Sequence, residues 1–436
     1  MAATKSKSYT QHSFLYPELF QQLNLDDELI ILGKNINWTR IEKELEQFFS
    51  PIGRPSKPIR LSVGLLIVKQ IYNLSDERVV EEYMRNPYIQ VFCGATSFQT
   101  TKPCHPTDLV YFRKRIGEEG IEKILQASVE IHGKAALEDD VIVDTTCQEK
   151  AITYPTDTKL RMKVISRCWK LAAKAGVKWR RSYRRELHEA IRTIRFTKKQ
   201  KGKKQARDKA LRRVKTIANA LLRELRRKLP ESILKANLAD LEMYEKAVNQ
   251  ERYDKNKIYS LHEPSVSCIC KGKEHKKYEF GAKAGLVMTK TINIIVGAKS
   301  FSGNPHDSQT LEPLLMHVKK IRGVAAKRCI GDRGFRGQKE VDETEIVIPD
   351  TPKKNKSAYA KRKSRHDFRR RGAIEPVIGH AKNDCRLAKN YLKGSIGDSI
   401  NLLLSAAAFN FKKWMNALRD ELIICNDQYR YEWKAA

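Results

Sequence analysis

The sequence predicts a mixed α/β core, preceded by an all-α region and interrupted by a basic helical segment. Three observations carry this. Up to about residue 135, apolar residues recur at helical spacing and no β-rich run intervenes. β-rich runs then come in two blocks, one at 139–146 and the others from 278 onward. Between the blocks, Lys159–Lys228 holds 27 Lys/Arg against four Asp/Glu, with apolar residues again at helical spacing. The implied boundaries are an N-terminal helical domain at 1–135, the first part of the core at 136–158, the insert at 159–260 and the rest of the core at 261–425.

In order along the chain, residues 1–50 read as mixed helix, closed by the Pro/Gly punctuation of Ser50-Pro51-Ile52-Gly53-Arg54-Pro55. Leu61–Tyr72 has helical periodicity, Ser75-Asp76-Glu77 reads as an N-cap turn, and Val79–Phe92 predicts a second helix. Pro106-Thr107-Asp108 opens a third, which carries Phe112, Arg113, Lys114 and Arg115. Short helices, a polar turn and a basic third helix fit a helix-turn-helix-like DNA module, and they fit a plain helical bundle equally. On the first of these readings, Arg113 and Arg115 face DNA.

Asp139–Thr146 is a short β-branched run, apolar on both faces as a central strand is, and Asp144 stands where that run ends. Asp139 and Asp140 lie at its polar entry and read as solvated. In the basic segment, Leu171, Leu187, Ile191, Val214, Leu221 and Leu225 predict two long amphipathic helices. Thr197–Lys204 joins them, with Lys198, Lys199, Lys201, Lys203 and Lys204. A solvated hairpin with no partner is the plain reading; a phosphate-binding surface explains the density of one sign. Tyr278–Met288 and Thr291–Ala298 predict a hairpin, and Thr310–Ile321 a helix. Asp307 reads as the cap of that helix, or with His306 as a catalytic pair. Arg328–Phe335 reads as a short strand with Asp332 at its end, and Gly334 follows for a tight backbone. Glu345–Ile348 is a further strand, Phe368–Lys382 a helix, and Ile400–Leu418 an apolar helix that packs on the sheet.

Charge decides the class of partner. Lys and Arg exceed Asp and Glu by 84 to 51, a net +33 over 436 residues, so a polyanion is expected and nucleic acid leads. No apolar run approaches 18 residues, Leu61–Val68 and Leu402–Phe409 being the longest, which argues against a membrane role. The first residues lack the apolar core of a signal peptide. The nine cysteines include no CxxC pair and read as reduced, cytosolic thiols.

Three acids then stand out: Asp144 and Asp332 at strand ends, and Glu375 on a later helix. On a straight helix Phe368, Arg371, Glu375 and Lys382 fall within roughly 60° of one another. Glu375 alone reads as a salt-bridge partner; with two strand-end acids it reads as the third carboxylate of a metal site. Pro376 permits a kink there. Strand, hairpin, helix, strand, strand, helix is the order of a ribonuclease-H-like α/β core.

Phe368-x2-Arg371-x3-Glu375-x6-Lys382 resembles the Y-x2-R-x3-E-x6-K signature of bacterial DDE-class insertion-sequence transposases, in the broad group that includes insertion-sequence family five, with Phe in place of Tyr. Asp332-Arg333-Gly334-Phe335 and Val143-Asp144-Thr145-Thr146 resemble the second-acid and first-acid motifs of that group. Leu261–Pro264, Tyr278–Lys283 and the Leu61–Arg115 helices are also similar to it. The resemblance implies that Asp144, Asp332 and Glu375 ligate two Mg²⁺ ions, with Mn²⁺ as a substitute. It implies end cleavage by activated water, attack of the freed 3′-hydroxyl on target DNA, and a homodimer holding both transposon ends. Arg371, Lys382 and Arg333 are then expected on DNA phosphate, in the bacterial cytoplasm at the nucleoid. The alternatives are a domesticated, non-catalytic DNA-binding regulator and a nuclease of the same fold without strand transfer.

Overall fold

The computed structural model describes residues 18–197, 200, 202–251, 253–270, 277–348 and 357–435, without the side chains of 363 and 420–435. Two compact units emerge: one formed by the chain up to Glu149 together with Ala282 onward, the other by Lys150–Gly281.

The first unit opens with α1 (Glu28–Asn35), α2 (Trp38–Glu46), α3 (Ile59–Ile71), α4 (Asp76–Arg85), α5 (Pro87–Phe92) and α6 (Pro106–Glu130). Side chains start most of them: Asp27 and Asn37 cap α1 and α2, Ser75 caps α4, and His105 with Asp108 forms a capping box on α6. Twelve of the thirteen residues of α3 are buried, so it is the axis of the bundle. The single helix expected over Val79–Phe92 is two. Asn86 ends α4 and caps α5, and Pro87 occupies the first turn of α5, where its missing N–H costs nothing.

β1 (Asp140–Lys150) follows, and the second unit then contributes α7 (Asp157–Lys174), α8 (Arg184–Phe196), α9 (Lys204–Lys228), α10 (Glu231–Ala236), α11 (Leu238–Asn249) and β2 (Ser267–Cys270). Where two long helices were expected between Lys159 and Lys228 there are three. Gly176, at φ 66°, terminates α7 in the left-handed region, and Tyr183, at φ 55°, precedes α8. α7, α9 and α11 bury Val164, Cys168, Ile217, Leu221 and Leu241 in a core of this unit's own. β2 pairs antiparallel with residues 278–281.

The remaining elements are β3 (Tyr278–Thr289), β4 (Ile295–Phe301), α12 (Asp307–Arg322), β5 (Arg328–Ile330), β6 (Glu340–Val341), β7 (Thr344–Val347), α13 (Ala358–Arg371), α14 (Ile374–Asp384), β8 (Lys389–Asn390) and α15 (Gly394–Ala435). In the first unit the strands run β3-β1-β5-β7-β6, with β4 on the free side of β3 and β8 on β1. β1, β5 and β7 are parallel, while β3–β4 is the expected antiparallel hairpin. α12 lies close on that hairpin because Gly297 leaves room: a Cβ there would stand 2.6 Å from Val318 Cγ2. α15 packs on β4, α6 and α3. Its Asn410 is buried and fully used: Oδ1 accepts from Ile295 N–H at 2.9 Å, and Nδ2 donates to Ile295 O at 2.8 Å and Ser128 Oγ at 3.1 Å. The mixed sheet with flanking helices is consistent with a ribonuclease-H-like core.

Candidate active site

β1 does not stop at Asp144, as its apolar run suggests, but continues as extended backbone to Lys150. What stops is its pairing with β5, whose register is Asp140↔Arg328, Val141↔Cys329 and Ile142↔Ile330. Asp144 and Asp332 each lie two residues beyond the last matched pair, Asp144 still on β1 and Asp332 just past the end of β5, where it caps a short 3-10 turn. Strand neighbours are about 5 Å apart, which brings two carboxylates to one opening. Both are partly exposed.

Short local bonds aim these acids. Asp144 Oδ1 accepts from Thr145 N–H at 2.7 Å, and Asp332 Oδ1 from Gly334 N–H at 2.8 Å. A third acid joins them. Asp307 Oδ1 accepts from Thr145 Oγ1 and lies beside Lys283 Nζ, each at 2.7 Å. A Cβ on Gly334 would stand 2.7 Å from Asp307 Oδ2 and 3.0 Å from Asp332 Oδ1, so only glycine fits between these carboxylates. The cap of α12 is His306, not Asp307. His306 Nδ1 meets Ser308 Oγ at 2.8 Å while Asp307 turns to Thr145, so the two do not act as a pair. Sequence offered no sign that Asp307 reaches Thr145, the neighbour of the first acid, because the contact spans 162 positions.

Glu375 does not share a continuous helix with Phe368 and Arg371. α13 ends at Arg371 and α14 begins at Ile374, linked through Gly372 and Ala373 by tighter i→i+3 bonds. The cause is Pro376: it cannot donate to the Gly372 carbonyl, and a fresh helix puts it in a first turn, where no donor is needed. Glu375 is exposed in that first turn, Lys382 is half-buried near the end of α14, and Arg371 is half-buried at the end of α13. Among the described residues no three His, Cys, Asp or Glu side chains converge closely enough to hold a metal. Asp144 and Asp332 thus both lie just past the end of the β1–β5 pairing, and Glu375 is not gathered into a cluster with them.

α13 is tied to the sheet by charges that sequence reading left in solvent. Asp140 accepts from Lys290 Nζ at 3.0 Å and Arg328 Nη1 at 2.9 Å. Asp367, buried on α13, takes the same two cations at 2.8 and 3.1 Å. Burial pushes the Asp367 carboxyl up, but Lys290 and Arg328 outweigh it and hold the group below the ordinary range.

The candidate DNA contacts divide. Arg113 is 3% exposed, with both terminal nitrogens on Asp76 at 2.8 and 2.5 Å, so it serves the fold and presents no charge to DNA. Its position on a basic helix misled, since helical phase, not composition, sets burial. Arg115 is exposed and stacks over Phe49 at 5.0 Å. Lys203, Lys204 and Arg333 are exposed; Lys198, Lys199 and Lys201 lie outside the described residues. Lys382 borders a cavity of about 1060 Å³ that Lys69, Arg386, Lys389 and the exposed Tyr391 also line. Arg386 and Lys389 flank the Tyr391 ring at 5.8 and 5.9 Å from its centroid.

Two family profiles match the chain: one described as a transposase domain over residues 17–115, the other as a transposase DDE domain over 269–411. Asp332 and Glu375 fall within the second span, whereas Asp144 and the second unit's helices lie between the two. An uncharacterized protein of Rhizobium meliloti, ORF8 in the nfe locus, is 41% identical over 180 residues, which are 40% of this chain and 87% of that protein. No solved structure matches. No described helix is long and apolar enough to cross a membrane. The chain belongs to the DDE transposases of bacterial insertion sequences, DNA-binding enzymes that cleave DNA with divalent metal ions.

Proposed function

We propose that this protein binds the terminal repeats of its own insertion sequence, cuts them and joins the freed 3′-hydroxyls to target DNA, with Asp144, Asp332 and Glu375 as the catalytic acids. One observation supports the reading: the β1–β5 pairing ends two residues before both Asp144 and Asp332, so the two acids follow the same end of that pairing. The donor set suits two Mg²⁺ ions, or Mn²⁺ in their place, since all three acids offer hard oxygens. The missing Cβ of Gly334 supports the fit, because any side chain there would fill the space between Asp332 and Asp307. When bound, such ions supply Lewis acidity at the scissile phosphate and lower the pKa of a coordinated water.

The chain's own residues do the rest. Asp144 and Asp332, each fixed by a backbone N–H, hold their carboxylates toward the phosphate. Glu375, exposed in the first turn of α14, would join the two aspartates when metal and DNA bind. Arg371, Lys382 and Arg333 neutralise strand phosphates and set the register of the duplex. Arg115 on the first unit, and separately the exposed Lys203 and Lys204 on the second, would add phosphate contacts of their own. A homodimer would present two such sites to two ends, in the bacterial cytoplasm at the nucleoid.

The test is cleavage of end-containing DNA in Mg²⁺, with Asp144→Asn, Asp332→Asn and Glu375→Gln beside the parent protein. All three should lose cleavage while still binding the ends. Incubating a precut end with target DNA then separates a transposase, which joins the strands, from a nuclease, which leaves them apart.

A further inference from the structure

Asp307 has no part in the three-acid scheme, yet it is bonded into the same opening. Its Oδ1 accepts the Thr145 hydroxyl and lies 2.7 Å from Lys283 Nζ. Lys283 is 8% exposed and is itself held by a second bond, to Pro305 O at 2.7 Å. The ammonium is therefore held from two sides, and it holds the Asp307 carboxylate in place. Thr145, fixed by Asp307 through its side chain, donates its backbone N–H to Asp144 Oδ1 at 2.7 Å. The result is an ordered path from Pro305 through Lys283, Asp307 and Thr145 to Asp144. It draws on the loop before α12, on β3 and on β1. Asp307 Oδ2, on its other side, faces the space at Gly334 that Asp332 also borders.

We propose that Asp307 is a positioning residue of the catalytic centre, which sets the rotamer of Asp144 through Thr145 and so fixes the affinity of the site for its divalent ion. The inference rests on Asp144 being a metal ligand. Its physical basis is general: partners that orient a ligating carboxylate govern affinity and are worth about 10–100-fold when removed. A plain structural role for the Lys283–Asp307 pair is the competing account, and it predicts lost stability with unchanged metal affinity.

The experiment titrates Mn²⁺ into the full-length protein by calorimetry or by the loss of its free EPR signal, and measures the Mg²⁺ dependence of end cleavage in parallel. Asp307→Asn and Thr145→Val should each weaken Mn²⁺ binding about tenfold and shift the half-saturating Mg²⁺ upward. Thr145→Ser, which keeps the hydroxyl, should restore both. End binding in EDTA should stay at the parent level throughout. The proposal is overturned if Thr145→Val, or a folded Asp307→Asn, binds Mn²⁺ as the parent does. It is overturned in the other direction if Asp307→Asn abolishes binding as completely as Asp144→Asn, which makes Asp307 a ligand. Should Asp144→Asn itself leave Mn²⁺ binding intact, the metal site assigned under the proposed function falls, and Asp307 with it.

Discussion

β1 carries two aspartates four residues apart, and their surroundings differ in kind. At Asp140, Lys290 and Arg328 meet two carboxylates, and the Asp367 side chain that completes the ring is only 4% exposed. Charge balances within the ring, and the arrangement bolts α13 to the sheet. At Asp144 the carboxylates are drawn by backbone N–H groups and a hydroxyl, with Lys283 on Asp307, whose side chain is 27% exposed. The first end is closed and complete with protein groups. The second is partly exposed, as the cation and phosphate site proposed there would have to be. Acids on one strand thus serve stability or chemistry according to what completes their coordination.

The sharpest break of that contrast uses one substitution at each end. Asp332→Asn should lower end cleavage by about 10³-fold or more, since a preorganised charge at the reacting centre is lost, with the denaturation midpoint unchanged. Asp367→Ala should do the reverse. It should cost about 2–4 kcal/mol in urea unfolding, as removal of one member of a buried charge cluster does, and leave cleavage per folded molecule close to the parent's. Because the Asp367 carboxyl is held below its ordinary value, its contribution is present above the usual aspartate range and is lost as pH falls through it. If both substitutions moved both readouts alike, the surroundings of Asp140 and Asp144 would not be distinct.

A smaller effect is expected at the cations. Lys382→Ala should weaken end binding and reduce its salt slope by about one. Arg113→Ala should leave the slope alone and lower stability instead, because its guanidinium is spent on Asp76. Filter binding at several salt concentrations separates the two.

What the sequence revealed and what it hid follows the same division. Local signals were legible: the Ser75 cap, the β3–β4 hairpin and Asp332 after a short strand all depend on neighbours in sequence. Asp144 was found, but its strand was ended too early, because β-branched apolar residues marked the paired part and the extension to Lys150 is largely polar. Pro376 flagged the break that divides α13 from α14. Asp140, Asp367 and Asp307 were misread or passed over, since each finds its partners across the fold and a charged residue alone reads as solvated. Arg113 erred in the same way.

The Lys69–Asp76–Arg113 cluster tests whether charge balance, rather than burial alone, decides such sites. It holds two cations and one acid, all within α3, α4 and α6. Burial pushes the Asp76 carboxyl up, but Arg113 and Lys69 outweigh it and bring it to about 2. For Lys69, burial and the Arg113 charge outweigh the bond to Asp76, and the ammonium is lowered from 10.5 to about 8. The unfolded chain therefore binds the Lys69 proton more tightly, and this group makes stability rise between about pH 8 and 10.5. Buried thiols and phenols, such as Cys329 and Tyr83, both raised to about 12, pull the other way over part of that range. They do so equally in any variant, so the difference between two proteins isolates Lys69. Lys69→Met keeps the Arg113–Asp76 pair and removes the surplus cation. It should be at least as stable as the parent at pH 7, and the advantage should shrink steadily toward pH 10 in urea unfolding measured across that range. A variant less stable than the parent at pH 7 would mean that Asp76 needs both cations, and that the surplus is a working part of the cluster.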